Sequence, residues 1–234
     1  MYIKNIIKKL FYLVYIDKLP KNLQIHFAYI FHVEHLYNEI EFNRLIAFCE
    51  RYQEITQMKP ICTIMSGVNP RVKKGMAVFN VDNCALVKRI HALSTCAILG
   101  YHGHFWFNES DFELQAAEIR CNNFLVEPFE RQFLNDLRWF KDNQIDHNRI
   151  YTAGWWAMTE YSHRTLIKNG FEYDFSFSKS PYFRNQYSYE LMLKNKISLG
   201  EPVTIFSEEK KLTCIQNLVA CHTTPFPQDF IRTF

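Results

Sequence analysis

The segment from Thr152 to Ser178 restricts the possible folds of this chain more than any other. Its sequence, TAGWWAMTEYSHRTLIKNGFEYDFSFS, predicts the end of a strand, a glycine turn, a short helix and a second strand. Gly170 ends the predicted helix, and the aromatic residues Phe175 and Phe177 alternate along the second strand. A strand, a helix and a strand in this order form a βαβ unit, which favours an α/β fold.

Apolar strand-like runs alternate with helical patterns of period 3.6 along nearly the whole chain. This order predicts an α/β fold whose mostly parallel sheet is closed, or nearly closed, as an irregular seven-stranded (β/α) barrel. Two looser stretches, 68–81 and 178–198, are expected to be substrate-facing loops. The predicted strands are at about 25–33, 60–66, 96–101, 149–154, 171–177, 202–206 and 212–220. The predicted helices are at about 41–55, 82–93, 128–143 and 159–169.

Two regions are expected along the chain, an N-terminal segment at 1–24 and one barrel domain at 25–234. With 234 residues, 48% of them hydrophobic, the chain can bury a large core in a single domain. The N-terminal segment is basic and aromatic. Its apolar run from Leu10 to Ile16 is too short to span a membrane, and no small-residue cleavage site follows it. We expect an amphipathic helix that lies on the cytoplasmic membrane surface or packs on the bottom of the barrel.

Charge and cysteine content narrow the partners and the compartment. The net charge of +3 is small and the basic residues are scattered among acidic ones, so nucleic acid is not expected as a partner. The seven cysteines form no CxxC pair and mostly lie in apolar runs, which predicts buried free thiols. Free thiols are typical of a reducing compartment, and we therefore expect a cytoplasmic protein, either free or associated with the inner membrane.

Histidines gather at the carboxyl ends of the predicted strands, where the chemistry of such barrels is found. Imidazole and carboxylate ligands suit a divalent ion such as Zn²⁺ and allow an open position for water. A bound ion would lower the pKa of that water and polarise a carbonyl oxygen. For each histidine taken alone, a buried position in the core is the alternative interpretation. The strand-end residues are His32, Glu34, His35, His102, His104 and His222.

Residues 25–222 resemble polysaccharide deacetylases, the NodB-type domains of carbohydrate esterase family 4. The stretch 170–176 fits the G-[FY]-x-Y-D-x-S strand of these domains closely. In that family the first strand ends in two acids, the first a general base and the second a metal ligand. The resemblance places His32 at the base, a role that suits its ordinary pKa of about 6.5, and Glu34 at the metal. The run LVACH resembles the family's L-x-H motif with longer spacing, and implies that His222 is the general acid.

The second family motif, H-x-x-x-H, supplies two histidine ligands. In GYHGHFW, His102 matches the first position and Trp106 matches the second, and tryptophan cannot bind a metal. The resemblance therefore implies a weakened or rebuilt metal site, formed by Glu34, His102 and one of His104 or His35.

The third family motif places an arginine and an aromatic wall beside the site. Thr152 stands at the arginine position, and Trp155 and Trp156 supply the wall. Together with Trp106, these are the expected substrate-binding residues, because flat rings suit stacking on a sugar face. Large aromatic side chains are equally ordinary filling for a barrel core.

The resemblance implies a metal-dependent hydrolase that removes an N-acetyl or related acyl group from an amino sugar or oligosaccharide. The pathway it implies is bacterial surface polysaccharide synthesis, of capsule or of the O-antigen of lipopolysaccharide. Water held by a divalent metal, expected to be zinc, would attack the amide carbon while His32 takes its proton and His222 protonates the leaving amine.

Two alternatives stay open. One is metal-free acid–base chemistry with His32, His102 and His222, and the other is an inactive relative that binds carbohydrate or a partner protein. The sequence contains no G-x-S-x-G elbow, P-loop, G-x-G-x-x-G or HExxH motif, which argues against other common catalytic schemes.

Overall fold

A curled sheet of parallel strands forms the centre of the fold, as a computed structural model of the chain shows. The structure describes residues 29–105, 126–156, 158–178, 203–207 and 210–217, and at a few of these, Trp155 among them, only the backbone. The strands pair in the order β1-β2-β3-β4-β5-β7-β6. They are β1 (Ile30–Val33), β2 (Ile61–Ile64), β3 (Ile98–Gly103), β4 (Ile150–Ala153), β5 (Tyr173–Ser178), β6 (Val203–Ser207) and β7 (Lys210–Asn217).

Six of these strands are parallel, whereas β6 pairs with β7 in the antiparallel direction. The described part of the sheet is therefore a half-barrel, with β1 and β6 at its two ends. The prediction of a closed or nearly closed barrel with seven strands in regular βα order was wrong in this respect. Only residues 208 and 209 separate β6 from β7, and a connection that short permits an antiparallel hairpin but no parallel crossover.

Helices connect most of the parallel strands, and four of them begin with a side-chain N-cap. The stretch 68–81, predicted to be a loop, contains one of these helices. Asn69 caps it and Pro70 occupies the first turn, a combination that favours a helix start. The other loop prediction, 178–198, and the N-terminal segment 1–24 lie outside the described residues. The helices are α1 (Glu39–Thr56), α2 (Pro70–Val78), α3 (Asn83–Cys96), α4 (Val126–Asp142) and α5 (Glu160–Lys168).

A layer of aromatic side chains fills the space between the sheet and its helices. Tyr101 and Tyr151, on neighbouring strands, are fully buried with ring centroids 5.4 Å apart. Phe133 and Phe140 of α4 pack on Tyr101 at 5.7 and 5.4 Å. Burying a side chain of this kind contributes roughly 1.5–3 kcal/mol to stability, so this face of the sheet carries much of the core.

The other face of the sheet is polar. Parallel register pairs His32 with Thr63 and His102 with Thr152, and residues in register on neighbouring strands point to the same side. Since side chains alternate along a strand, Tyr101 and His102 point to opposite faces. The apolar face thus supports the helices, and the polar face is left for the candidate site.

Most of the described cysteines are buried thiols. Cys49, Cys62, Cys96 and Cys214 are free and buried, as predicted, whereas Cys84 is free but exposed. The prediction was wrong at Cys84 because this residue lies in the first turn of α3, on a side of the helix that faces solvent.

None of the helices in the described part of the chain combines the length and the apolar character that a membrane crossing requires.

A buried carboxyl group fastens α4 to the sheet. Asp136 is 1% exposed, and it accepts hydrogen bonds from Ser66 Oγ at 2.5 Å and from the Tyr101 hydroxyl at 2.6 Å. Burial raises the pKa of Asp136 from its ordinary 3.8 to about 7, despite these two hydrogen bonds. The folded protein therefore keeps a proton on Asp136 at a pH where the unfolded chain has released it.

This proton gives a testable pH dependence of stability. Between about pH 4 and pH 7 the folded state binds more protons at Asp136 than the unfolded state, so the free energy of unfolding falls as pH rises. The variant Asp136→Asn lacks the titrating group and should lose less stability over this window. Urea unfolding of both proteins across the window measures the difference, and parallel curves would contradict the assignment.

Candidate metal centre

Three side chains converge at the carboxyl ends of β1 and β3. Glu34 directly follows β1, His102 lies in β3, and His104 directly follows it. Glu34 Oε1 is 3.4 Å from His102 Nε2 and 3.3 Å from His104 Nε2, and the two Nε2 atoms are 3.1 Å apart. These three residues form a group that could hold a metal ion.

The backbone explains why these donors meet. His102 and His104 are two residues apart, so both point to the polar face, and the curl of the sheet brings Glu34 within reach. Gly154 leaves room for one of the rings, since a Cβ there would lie 2.5 Å from ring atoms of His104. The His104 carbonyl accepts hydrogen bonds from Asn69 Nδ2 at 2.9 Å and from Gln132 Nε2 at 3.0 Å, which fixes the backbone after β3.

A series of hydrogen bonds that all run in one direction determines which ring nitrogen of a neutral His102 carries the proton. The Thr63 hydroxyl donates to the Phe31 carbonyl at 3.1 Å, and the Thr152 hydroxyl donates to Thr63 Oγ1 at 2.7 Å. Because the Thr152 proton is used in this way, its oxygen accepts from His102 Nδ1 at 2.8 Å. The proton of a neutral His102 is therefore on Nδ1, and the Nε2 lone pair faces Glu34 and His104.

The donor set fits a divalent cation. When His102 and His104 are neutral and Glu34 is a carboxylate, at most one of the three converging atoms carries a proton. A cation would bind the lone pairs of all three atoms. A tetrahedral ion with bonds of about 2.0–2.2 Å separates its ligand atoms by roughly 3.3–3.6 Å. The observed separations of 3.1–3.4 Å lie close to that value. Thr152 acts in this arrangement as the group that orients a ligand from behind.

The charges of Glu34 and His104 suit metal binding at neutral pH. Burial raises the pKa of the Glu34 carboxyl, but the neighbouring His102 and His104 lower it more, so the net shift is well below the usual range. Burial lowers the pKa of His104 to about 4 against the opposing effect of Glu34. Glu34 is thus an anion and His104 is neutral, which are the forms that bind metal.

Arg71, in the first turn of α2, contacts the centre from the solvent side. Its Nη1 lies 2.6 Å from Glu34 Oε2, and its Nη2 lies 3.4 Å from His35 Nε2. His35 also pairs through Nδ1 with Glu41 Oε2 at 3.1 Å and is about 40% exposed. Of the two alternatives for the third ligand, the structure therefore brings His104, and not His35, to the Glu34 oxygen that faces His102.

The remaining expected site residues are distributed around this centre. The His32 ring lies 4.6 Å from both the His102 ring and the Trp156 ring, so it is held between them on the polar face. Trp156 has a positive φ of 55°, an unusual backbone conformation for a bulky residue. Thr152, expected to bind substrate, is fully buried behind His102.

Two of the residues that the sequence predicts for the site, Trp106 and His222, lie outside the described residues. The side chain of Trp155 is also outside the described part of the structure.

Sequence reasoning did not identify Arg71, Asn69 or Thr63. The signal for Arg71 and Asn69 was the Asn-Pro pair, which marks the start of a helix. Thr63 lies inside an apolar strand, and only the register with His32 and the contact with Thr152 reveal its role.

A second group of potential ligands, His163, Asp174 and Cys214, is buried on the side of the sheet that carries α5. Asp174 Oδ2 is 2.8 Å from His163 Nε2, while its Oδ1 accepts from the backbone N–H and the hydroxyl of Ser176. Both oxygens of the Asp174 carboxylate therefore have hydrogen-bond donors. Cys214 Sγ is 4.0 Å from the same His163 nitrogen that faces Asp174, so the three do not form a catalytic relay. This group fastens α5 to β5 and β7.

Comparisons with known proteins add little to this description. No protein-family model matches the chain, and no curated protein matches it in sequence. Among solved structures, it is similar to a Mycobacterium smegmatis protein described as a "putative polysaccharide deacetylase", with a TM-score of 0.47 and 11% identity. The similarity covers 80% of this chain and 48%, or about half, of that protein. A likeness at this level assigns neither a family nor an activity.

The three ligands can be tested by metal titration. We expect Zn²⁺ to bind the wild-type protein with one equivalent at this centre, and Glu34→Gln, His102→Ala and His104→Ala each to bind far more weakly. His91→Ala removes an exposed histidine on α3 and is the matched control. Isothermal titration calorimetry at pH 7 gives the affinities. Equal binding by the wild type and the three ligand variants would contradict the assignment.

The hydrogen-bond series makes a separate prediction for Thr152. Replacing it with Val removes the closer acceptor of His102 Nδ1, the hydroxyl at 2.8 Å, with little change of shape, and leaves the Thr152 carbonyl at 3.2 Å. The loss of the hydroxyl should weaken metal binding by about 10–100-fold. Thr152→Ser keeps the hydroxyl and should bind like the wild type. If the Val and Ser variants bind equally well, the hydroxyl does not orient His102.

Proposed function

We propose that this protein is a metal-dependent hydrolase that removes an acyl group from the nitrogen of an amino sugar. The observation that carries the proposal is the meeting of Glu34 Oε1, His102 Nε2 and His104 Nε2 within 3.4 Å of one another. Two neutral imidazoles and one carboxylate match the ligand sets of catalytic zinc sites, which keep a further position open. The resemblance of residues 25–222 to polysaccharide deacetylases supports the choice of substrate.

Each described residue of the centre has a defined task in this reaction. A divalent ion held by Glu34, His102 and His104 would polarise the acyl carbonyl and make a water molecule acidic enough to attack at neutral pH. His32 is the proposed base, because its ring is held beside His102 and its ordinary pKa is close to neutrality. Trp156, which is 8% exposed, packs against the His32 ring at 4.6 Å and limits its motion.

The leaving amine needs a proton, since an unprotonated amine is a poor leaving group. His222 is the proposed acid, on the resemblance of LVACH to the last family motif, although it lies outside the described residues. Trp106, Trp155 and Trp156 are the proposed sugar-binding residues.

The finer assignment rests on the sequence alone. We propose a cytoplasmic enzyme that acts on an amino sugar of a bacterial surface polysaccharide, such as O-antigen or capsule. Its N-terminal segment 1–24, basic with an apolar run, would hold it at the inner membrane surface.

The proposed reaction is tested by the release of acetate or formate from N-acylated amino sugars. Protein loaded with Zn²⁺ should release acetate or formate from these sugars. Protein treated with a chelator should release neither until the metal is restored. His32→Gln should lower kcat by about 10²–10⁴ while the metal content stays at the wild-type level, because positioned proton transfer typically accounts for that factor.

Two results would contradict the proposal. Sugar binding without acid release, unchanged by added metal, would leave an inactive carbohydrate-binding protein as the better assignment. Release that persists without metal but is lost in His32→Gln would favour metal-free acid–base chemistry.

A further inference from the structure

We infer that Arg71 is a positioning residue of this centre, which holds the Glu34 carboxylate so that only one of its oxygens faces the two histidines. The inference rests on the proposed function for its catalytic consequence, but its effect on metal binding can be measured independently. Arg71 Nη1 contacts Glu34 Oε2 at 2.6 Å, while Oε1 of the same carboxylate faces His102 and His104 at 3.3–3.4 Å.

The two oxygens of Glu34 therefore have separate partners. A carboxylate that is free to rotate about its last bond can present either oxygen, or both, to a cation. The guanidinium of Arg71 removes this freedom because a charge-assisted hydrogen bond as short as 2.6 Å is among the stronger ones in proteins. Both side chains are about one-quarter exposed, so the pair is only partly screened by solvent.

Arg71 is itself held by the protein. Its backbone N–H donates to Asn69 Oδ1 at 3.0 Å, and Asn69 Nδ2 donates to the His104 carbonyl at 2.9 Å. The backbone N–H of Asn69 also donates to Ser66 Oγ, and the Ser66 hydroxyl in turn donates a hydrogen bond to the buried Asp136. The residue that caps α2 thus fixes both the helix turn that carries Arg71 and the backbone of His104.

An arginine suits this position better than a lysine would. The guanidinium is planar and presents several N–H groups, so one side chain contacts Glu34 through Nη1 and lies near His35 through Nη2. In the family that the sequence resembles, an arginine at the end of the fourth strand orients the base. Here that position is Thr152, which orients His102, while the arginine beside the centre comes from α2.

The inference is tested by comparing Arg71→Ala with two further proteins. Arg71→Lys keeps the positive charge without the planar donor group, and Lys74→Ala removes a positive charge from an exposed position of the same helix. We expect Arg71→Ala to bind Zn²⁺ about 10–100-fold more weakly than the wild type. Arg71→Lys should recover only part of this loss, and Lys74→Ala should bind like the wild type.

Two readouts separate positioning from a structural role. Methylguanidinium added to Arg71→Ala should restore Zn²⁺ affinity, whereas added methylammonium should not. With Co²⁺ in place of zinc, the visible absorption spectrum should differ between the wild type and Arg71→Ala, and methylguanidinium should reverse the difference. Thermal unfolding of both variants checks that they are folded. If Arg71→Ala is not folded, Arg71→Gln carries the same comparison.

Unchanged affinity and an unchanged cobalt spectrum in folded Arg71→Ala would overturn the inference, as would a loss that methylguanidinium does not restore. Because these measurements use the metal alone, they remain decisive if the protein hydrolyses no amino sugar. If hydrolysis is observed, Arg71→Ala should lower kcat more than it changes KM, since Arg71 acts through its contact with the metal ligand Glu34.

Discussion

A series of hydrogen bonds across four parallel strands fixes the proton of His102. It runs from the Phe31 carbonyl through the hydroxyls of Thr63 and Thr152 to His102 Nδ1. The parallel register places Thr152 beside His102, and it places Gly100 of β3 beside Thr63. Because Gly100 has no side chain, Thr63 of β2 and Thr152 of β4 can meet across β3. Because the direction of the series leaves Nε2 without a proton, the pairing of the strands determines which atom faces Glu34. The protonation of the metal ligands thus depends on the pairing of the strands, and sites built on strands hold their geometry more precisely than sites on loops.

Apolar periodicity was sufficient to predict all seven described strands and four of the five described helices, with bounds that differ by a few residues. It could not show that β6 runs antiparallel, since period-2 patterns carry no information on direction. The short connection between β6 and β7 does indicate the direction, because a parallel crossover does not fit into two residues. Helix α2 was missed because its polar start and the glycine within it, Gly75, resemble a loop. Its Asn-Pro cap was the better indicator.

Strand ends were a sound guide to the part of the chain that forms the candidate centre, because the carboxyl ends of parallel strands meet at one edge. Sequence spacing left His104 and His35 as alternatives. Alternation along a strand favours His104, which lies two residues from His102, over His35, which is adjacent to Glu34. In the structure His35 contacts Glu41 and Arg71 instead. Arg71 could not be predicted, since its place depends on the cap of α2 and on contacts between elements distant in sequence.

The binding of a metal ion by Glu34, His102 and His104 is tested most directly by X-ray absorption at the zinc edge, on protein loaded with one equivalent of Zn²⁺. We expect only nitrogen and oxygen in the innermost coordination sphere, with multiple-scattering features from two imidazole rings. Sulfur in that sphere would place the ion at a cysteine, for example Cys214 in the second buried group. A sphere without imidazole would mean that the ion is bound elsewhere on the surface, and either result would contradict the assignment.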